Sequence, residues 1–247
     1  KNKILKLYHE PTSGWSALSS YHEGDPVNSL YSFAFDHVET DEDGYQQLYW
    51  RAADGSTYCN DLYATTFKVE DVKFSGSLDP KWSGSIMPVI TWQGFSLGAS
   101  FVWYAGHYFR ADAQRWNTDI SFSYDEPVPR SYLDYWRMPE SERSGVLGNG
   151  YMMTYMNVSY YDLKYCDQNV DHADYMKLRS LTLGYKFTPE ICRFIGVSGM
   201  SIRLQMNNVC TWVRNKRGID PERVEAATGT LGNKIPKSYT VSLNVNF

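Results

Sequence analysis

Six carboxylates, Asp119, Asp125, Glu126, Asp134, Glu140 and Glu142, fall in one long polar stretch, residues 110–174. A glycosidase needs two such groups facing a sugar across roughly 5–9.5 Å, and a stretch this acidic contains candidate pairs. Acidic side chains are solvated in most folds, so the stretch reads first as an exposed acidic loop. The five histidines (His9, His22, His37, His107, His172) have no metal-ligand spacing. Ser201 and the other serines lack a Gly-x-Ser-x-Gly setting. Cys59, Cys166, Cys192 and Cys210 are far apart and form no CxxC pair, which argues against a zinc site or a dense disulfide framework. No catalytic residue, metal or cofactor is expected. Binding is better served: Trp116, Tyr132, Tyr135 and Trp136 offer flat faces for sugar rings or extended peptides. The same four would also pack a loop on itself or against a protein lid.

The elements that must hold these loops are strands. From Tyr239 to Phe247 the odd positions (Tyr239, Val241, Leu243, Val245, Phe247) are apolar and the even ones are Thr240, Ser242, Asn244 and Asn246. That is a period-two strand with one face of each kind. Met200, Ile202, Leu204 and Met206 repeat the pattern, as do Leu181, Leu183, Tyr185 and Phe187. Phe95 to Ala105 gives another run, and Trp82 to Trp92 a weaker one. Val27, Ser29, Tyr31, Phe33 and Phe35 make a sixth. Gln93-Gly94 and 188–198 are short connections, whereas 39–81, 110–174 and 214–234 are long, polar and aromatic.

Composition narrows the class. The chain has 247 residues, net charge −4, and 20 Tyr, 11 Phe and 8 Trp. This balance does not fit an electrostatic nucleic-acid surface, and apolar residues spread along the whole length argue against disorder. A mean hydropathy of −0.47 with no long apolar run excludes a helical membrane protein. It leaves a membrane β-barrel open, because barrel strands alternate lipid-facing and polar residues. Alternating short and long connections, and aromatics near strand ends (Trp82, Trp92, Phe95, Trp103, Tyr104, Phe187, Trp212, Tyr239, Phe247), fit such a barrel. Alternation alone fits a soluble β-sandwich equally well.

Seven segments, in order, resemble motifs of SusC-like TonB-dependent transporters. They are Gly24 to Phe35, Gly76 to Gly84, Gly94 to Phe101, Tyr135 to Pro139, Asp174 to Phe187, Gln205 to Trp212 and Ser238 to Phe247. Thr40 to Gly44 only faintly echoes the family's acidic motif, and no calcium ion is inferred from it.

The resemblance implies an all-β fold, a transmembrane antiparallel barrel of 22 strands in the outer membrane. This chain would supply about the last six strands, with long extracellular loops. Residues 1–247 would be the C-terminal part of the barrel, with the plug and the N-terminal strands lying outside the chain. The expected function is import of oligosaccharides or peptides beneath a SusD-like surface lipoprotein. Energy would come from the TonB complex through a segment absent here, and no covalent chemistry would occur. Tyr239, Leu243, Val245 and Phe247 would carry the signal read by the barrel-assembly machinery. Outer-membrane lipids and the remainder of the barrel would be further partners. Cys59 and Cys166, both in expected extracellular loops, would be placed where a disulfide can persist. The rival readings are a soluble extracellular carbohydrate-binding β-sandwich and a secreted hydrolase on a β scaffold.

Overall fold

Period-two alternation produces strands wherever the sequence shows it, but not all of them join one sheet. The computed structural model describes residues 2–40, 46–59, 67–111 and 165–247, and these divide into two compact units.

The first unit holds α1 (Gly14–Ser19) and strands β1 (Ser29–Thr40), β2 (Gln46–Arg51), β3 (Thr57–Cys59) and β4 (Val72–Ser77). The sheet order is β3-β2-β1-β4, with β1 antiparallel to both β2 and β4. Ser13 caps α1 in a reciprocal capping box with Ser16. Gly14 lies so close to Phe67 that an added Cβ would meet its atoms at 2.7 Å. The core is aromatic: Phe33, Trp50 and Phe67 are buried with Cys166, and Trp15, Phe35, Tyr58 and Tyr165 pack around them. Phe33 stacks on Phe67 at 3.6 Å, and Trp15 meets both edge-on. β8 (Tyr108–Arg110) and β9 (Val170–His172) form a short two-stranded ladder. Arg110 is buried, donates to the Tyr31 carbonyl at 2.6 Å and lies 4.8 Å over the Tyr165 ring. Burial brings its guanidinium down to about 10.

The second unit holds β5 (Trp82–Ile86), β6 (Val89–Trp92), β7 (Phe95–Ala105), β10 (Tyr175–Lys186), α2 (Pro189–Phe194), β11 (Gly199–Val213) and β12 (Ser238–Asn246). Its order is β12-β11-β10-β7-β5, every pair antiparallel, with β6 also on β7. β5 and β6 occupy one strand position interrupted at Met87-Pro88, so the sheet has five positions. The Trp82–Trp92 run of the sequence is therefore a broken strand, because proline cannot donate to the ladder.

One expectation changes here. The run over 27–38 does form a strand, but as β1 it belongs to the four-stranded sheet of the first unit and not beside β5. Its alternating Tyr31 and Phe33 feed an aromatic core rather than a lipid-facing surface. Alternation reports a strand with two unlike faces and does not say what covers the apolar one.

Two local devices set the second sheet's geometry. Gln93 and Gly94 both have positive φ (45° and 86°) and join β6 to β7 with Trp92 paired to Phe95. That is the two-residue hairpin turn whose twist matches the strands. Further along, between Leu178 and Ser180, β10 advances two residues while β7 advances one and β11 three. Each strand carries one more residue than its neighbour, and Asn208 takes φ 53° to accommodate it.

Candidate functional site

Register decides which side chains share a face. Leu97 pairs with Leu183 and Leu183 with Leu204, and Leu204 pairs with Val241. Phe101 pairs with Leu178 and Ile86, and Trp103 with Met176, which pairs with Trp212. One face of all five positions is thus apolar from end to end. The bulge keeps it so: Met176 and Leu178 are an odd number of residues from Leu181 and Leu183, and in a regular ladder they would point to the opposite face. Nothing among the described residues covers this face. Trp82, Ile90 and Val241 are 68%, 66% and 69% exposed.

The opposite face is polar. Ser96, Gly184, Arg203 and Ser242 share a row, as do Gly98, Thr182, Gln205 and Thr240. Gly184 leaves room there for the Ser96 hydroxyl, which an added Cβ would meet at 2.4 Å.

A charged cluster sits on this polar face near the start of β10. Lys177 is 3% exposed. Its ammonium donates to Asp220 at 3.1 Å and to Glu222, the N-cap and the middle residue of a short 3₁₀ turn in the connection between β11 and β12. Arg179, the extra residue of the bulge, donates to the other oxygen of Glu222, and so does the Tyr175 hydroxyl at 2.8 Å. The Asp220 carboxylate also accepts from Thr211. Two cations meet two anions, so the buried lysine is compensated. The arrangement pins 214–224 onto the polar side of the sheet. Nearby, Asp174 accepts from the Gly106 amide at 2.7 Å and from Arg214 at 2.8 Å. Sequence reading missed the cluster because its members are 43 and 45 residues apart. The one available signal was a pair of cations two residues apart, Lys177 and Arg179, in the run that forms β10.

In the first unit, Asp36 on β1 accepts from Arg51 on β2, and its second oxygen lies 2.7 Å from His37 Nδ1. His37 stacks on Tyr49 at 4.6 Å, with Glu39 3.3 Å from Nε2. The Asp36 hydrogen bond, assisted by Glu39, raises the imidazole above its ordinary value, and the same bond holds Asp36 below the usual carboxylate range.

Of the residues singled out from sequence, Trp116, Tyr132, Tyr135 and Trp136, the six loop carboxylates and the acidic segment 41–44 lie outside the described residues. Tyr239, Leu243 and Val245 share the apolar face of β12, and Phe247 follows the strand, 97% exposed. Cys166 is a buried free thiol pushed up to about 12 by burial, so the disulfide considered for Cys59 and Cys166 is not formed. Among the described residues no group of three His, Cys, Asp or Glu is placed to hold a metal ion, and no helix is long and apolar enough to cross a membrane.

A twisted antiparallel sheet with one bare apolar face, one polar face, and short connections gathered at one end has the fold of a barrel wall. β7, β10, β11 and β12 run 11, 12, 15 and 9 residues, long enough for spanning strands, which need about 9–11. From Phe95 to Trp103 the apolar face extends about 26 Å along the strand at ~3.3 Å per residue, which at the ~35–45° tilt of outer-membrane barrel strands is about 20 Å of height, most of their ~25 Å apolar band.

Known structures agree with this. The chain is similar to the RagAB peptide importer in its open-open state, with a TM-score of 0.65 at 16% identity, over 99% of this chain and 25% of that one. The closed-closed state gives 0.62 at 18% identity, over 98% and 25%. A further structure of the RagAB peptide transporter gives 0.61 at 18%, over 98% and 24%. At these identities the likeness is one of fold, and the chain spans about a quarter of the length of those proteins. No protein-family model matches the sequence, and no curated protein does.

Proposed function

We propose that this chain is the C-terminal barrel section of a SusC-like TonB-dependent transporter, importing oligosaccharides or peptides across an outer membrane. The observation that carries the reading is the uncovered apolar face running across five antiparallel strand positions opposite a hydroxyl- and amide-rich one. Burying that apolar face in acyl chains satisfies it, and closing the sheet satisfies its edges. On this reading β12 and β5 pair with strands that complete the 22-stranded barrel, and a plug lies against the polar face. The long connections, with Trp116, Tyr132, Tyr135 and Trp136, meet cargo or a SusD-like lipoprotein lid. TonB energises uptake, and the barrel-assembly machinery reads the terminal strand through Tyr239, Leu243, Val245 and Phe247. No covalent chemistry is assigned to it. The likeness to a peptide importer favours peptides as cargo.

The test is purification of the full-length protein from outer membranes in mild detergent, followed by uptake of labelled peptides and glycans by cells with and without it. The reading expects a co-purifying lipoprotein and peptide uptake that collapses with the proton gradient. A detergent-independent monomer that binds glycans would support the soluble sandwich instead.

A further inference from the structure

The connection between β10 and β11 carries an apolar surface that the barrel wall does not require. The chain leaves the apolar face at Phe187, whose ring packs edge-on against Tyr185 at 5.0 Å. It re-enters that face at Met200, which pairs with Val245. Between them, Pro189 starts the single helical turn α2. Cys192 faces inward and is buried, its thiol directed at the Phe187 carbonyl. Ile191, Phe194 and Ile195, spaced i, i+3 and i+4, form one stripe, and are 42%, 91% and 48% exposed. Arg193 falls on the other side of the turn. A connection that only had to reverse the chain could be two polar residues, as Gln93-Gly94 is at the same end of the sheet.

We infer that α2 is an interfacial anchor: its Ile191, Phe194 and Ile195 stripe lies in the headgroup–acyl boundary of the leaflet at the short-turn end of the barrel. The occupant is phospholipid rather than protein, because the chain enters the turn through Tyr185 and Phe187 at the end of the apolar face, which is read above as lipid-facing. A one-sided helix with a cation on its polar side fits that boundary. Arg193, within the turn, is placed to meet lipid phosphates at the edge of that boundary, outside the acyl region. The inference rests on the transmembrane reading of the sheet, and the test separates the two.

The photo-crosslinker p-benzoylphenylalanine is placed, one position at a time, at Phe194, Arg193 and Leu243 of the full-length protein in intact cells. Heat-modifiable mobility confirms that each variant assembles, and adducts are identified by mass. The anchor predicts phospholipid adducts at 194 and 243, with several-fold less at 193. Lipid adduct at 243 but none at 194 overturns the anchor while leaving the transmembrane sheet intact. A protein adduct at 194 overturns it in favour of a periplasmic partner. No lipid adduct at either 194 or 243 removes the transmembrane reading itself.

Discussion

At the residue scale, sidedness has direct consequences. Leu243 stands on the apolar face of β12 and Ser242 on the polar one. Leu243→Arg is expected to cost about 2–4 kcal/mol if placed near mid-membrane, whereas an arginine on the polar side is milder. Outer-membrane yield of the full-length protein should therefore fall for Leu243→Arg and hold for Ser242→Arg, and equal yields would count against the facing. The buried Lys177 makes a second case. Lys177→Met removes the cation that joins Asp220 to Glu222, and breaking a compensated buried pair costs about 3–5 kcal/mol. The loss should appear locally, as faster trypsin cleavage at Lys216, Arg217 and Arg223 in the connection that the lysine pins. Cleavage unchanged from the parent would show that 214–224 is held by something else. His37 supplies a pH dependence. Its raised folded value means its contribution is complete below the ordinary imidazole range and fades as pH rises through the raised value. Asp36, held low, contributes above the ordinary carboxylate range and fades as pH falls through its lowered value. The pair is therefore at full strength only between the two. An NMR titration should place His37 above 6.5, and Asp36→Asn should bring it back down.

At the element scale, much of the second sheet was legible because period-two alternation survives wherever a strand has unlike faces. The runs ending at Phe247, at Met206 and at Phe187 are β12, part of β11 and part of β10, and the turn at Gln93-Gly94 is a two-residue hairpin. What alternation could not carry was the destination of each apolar face. β1 has the same grammar as β12, yet Phe33 meets Phe67 and Trp50 while Val241, beside Leu204 in its sheet, is left 69% exposed among the described residues. The bulge at Leu178–Ser180 left only a change of phase, from Met176 and Leu178 to Leu181 and Leu183, and the two-against-one count across neighbouring strands that makes it a bulge is visible only in the sheet. The partners of Lys177 were hidden, since only the fold brings them together. The hairpin itself can be tested. Gly94 has φ 86°, and a Cβ there would sit 2.8 Å from the Lys186 carbonyl, whereas Gly196 at φ 77° has open space. Gly196→Ala should cost about 1–2 kcal/mol for its left-handed backbone alone. Gly94→Ala should cost more, up to about 3 kcal/mol, read as a lower unfolding temperature. Equal shifts would mean that the contact relaxes freely.

At the scale of the whole molecule, the account reduces to what surrounds the apolar face of β5 to β12. A sheet five positions wide with that face bare is an aggregation hazard in water and an ordinary wall in a bilayer. Trp82, Trp103 and Trp212 mark one end of the face and Trp92 the other, while Trp50 is buried in the first unit's core. The full-length protein reconstituted in vesicles whose acyl chains carry bromine tests this most directly. Bromine quenches only indoles it can touch, so the account predicts that replacing Trp82, Trp92, Trp103 and Trp212 with Phe each removes quenchable emission, whereas Trp50→Phe removes only emission that bromine leaves untouched. Quenchable emission unchanged by all four replacements, or lost instead with Trp50, would contradict it.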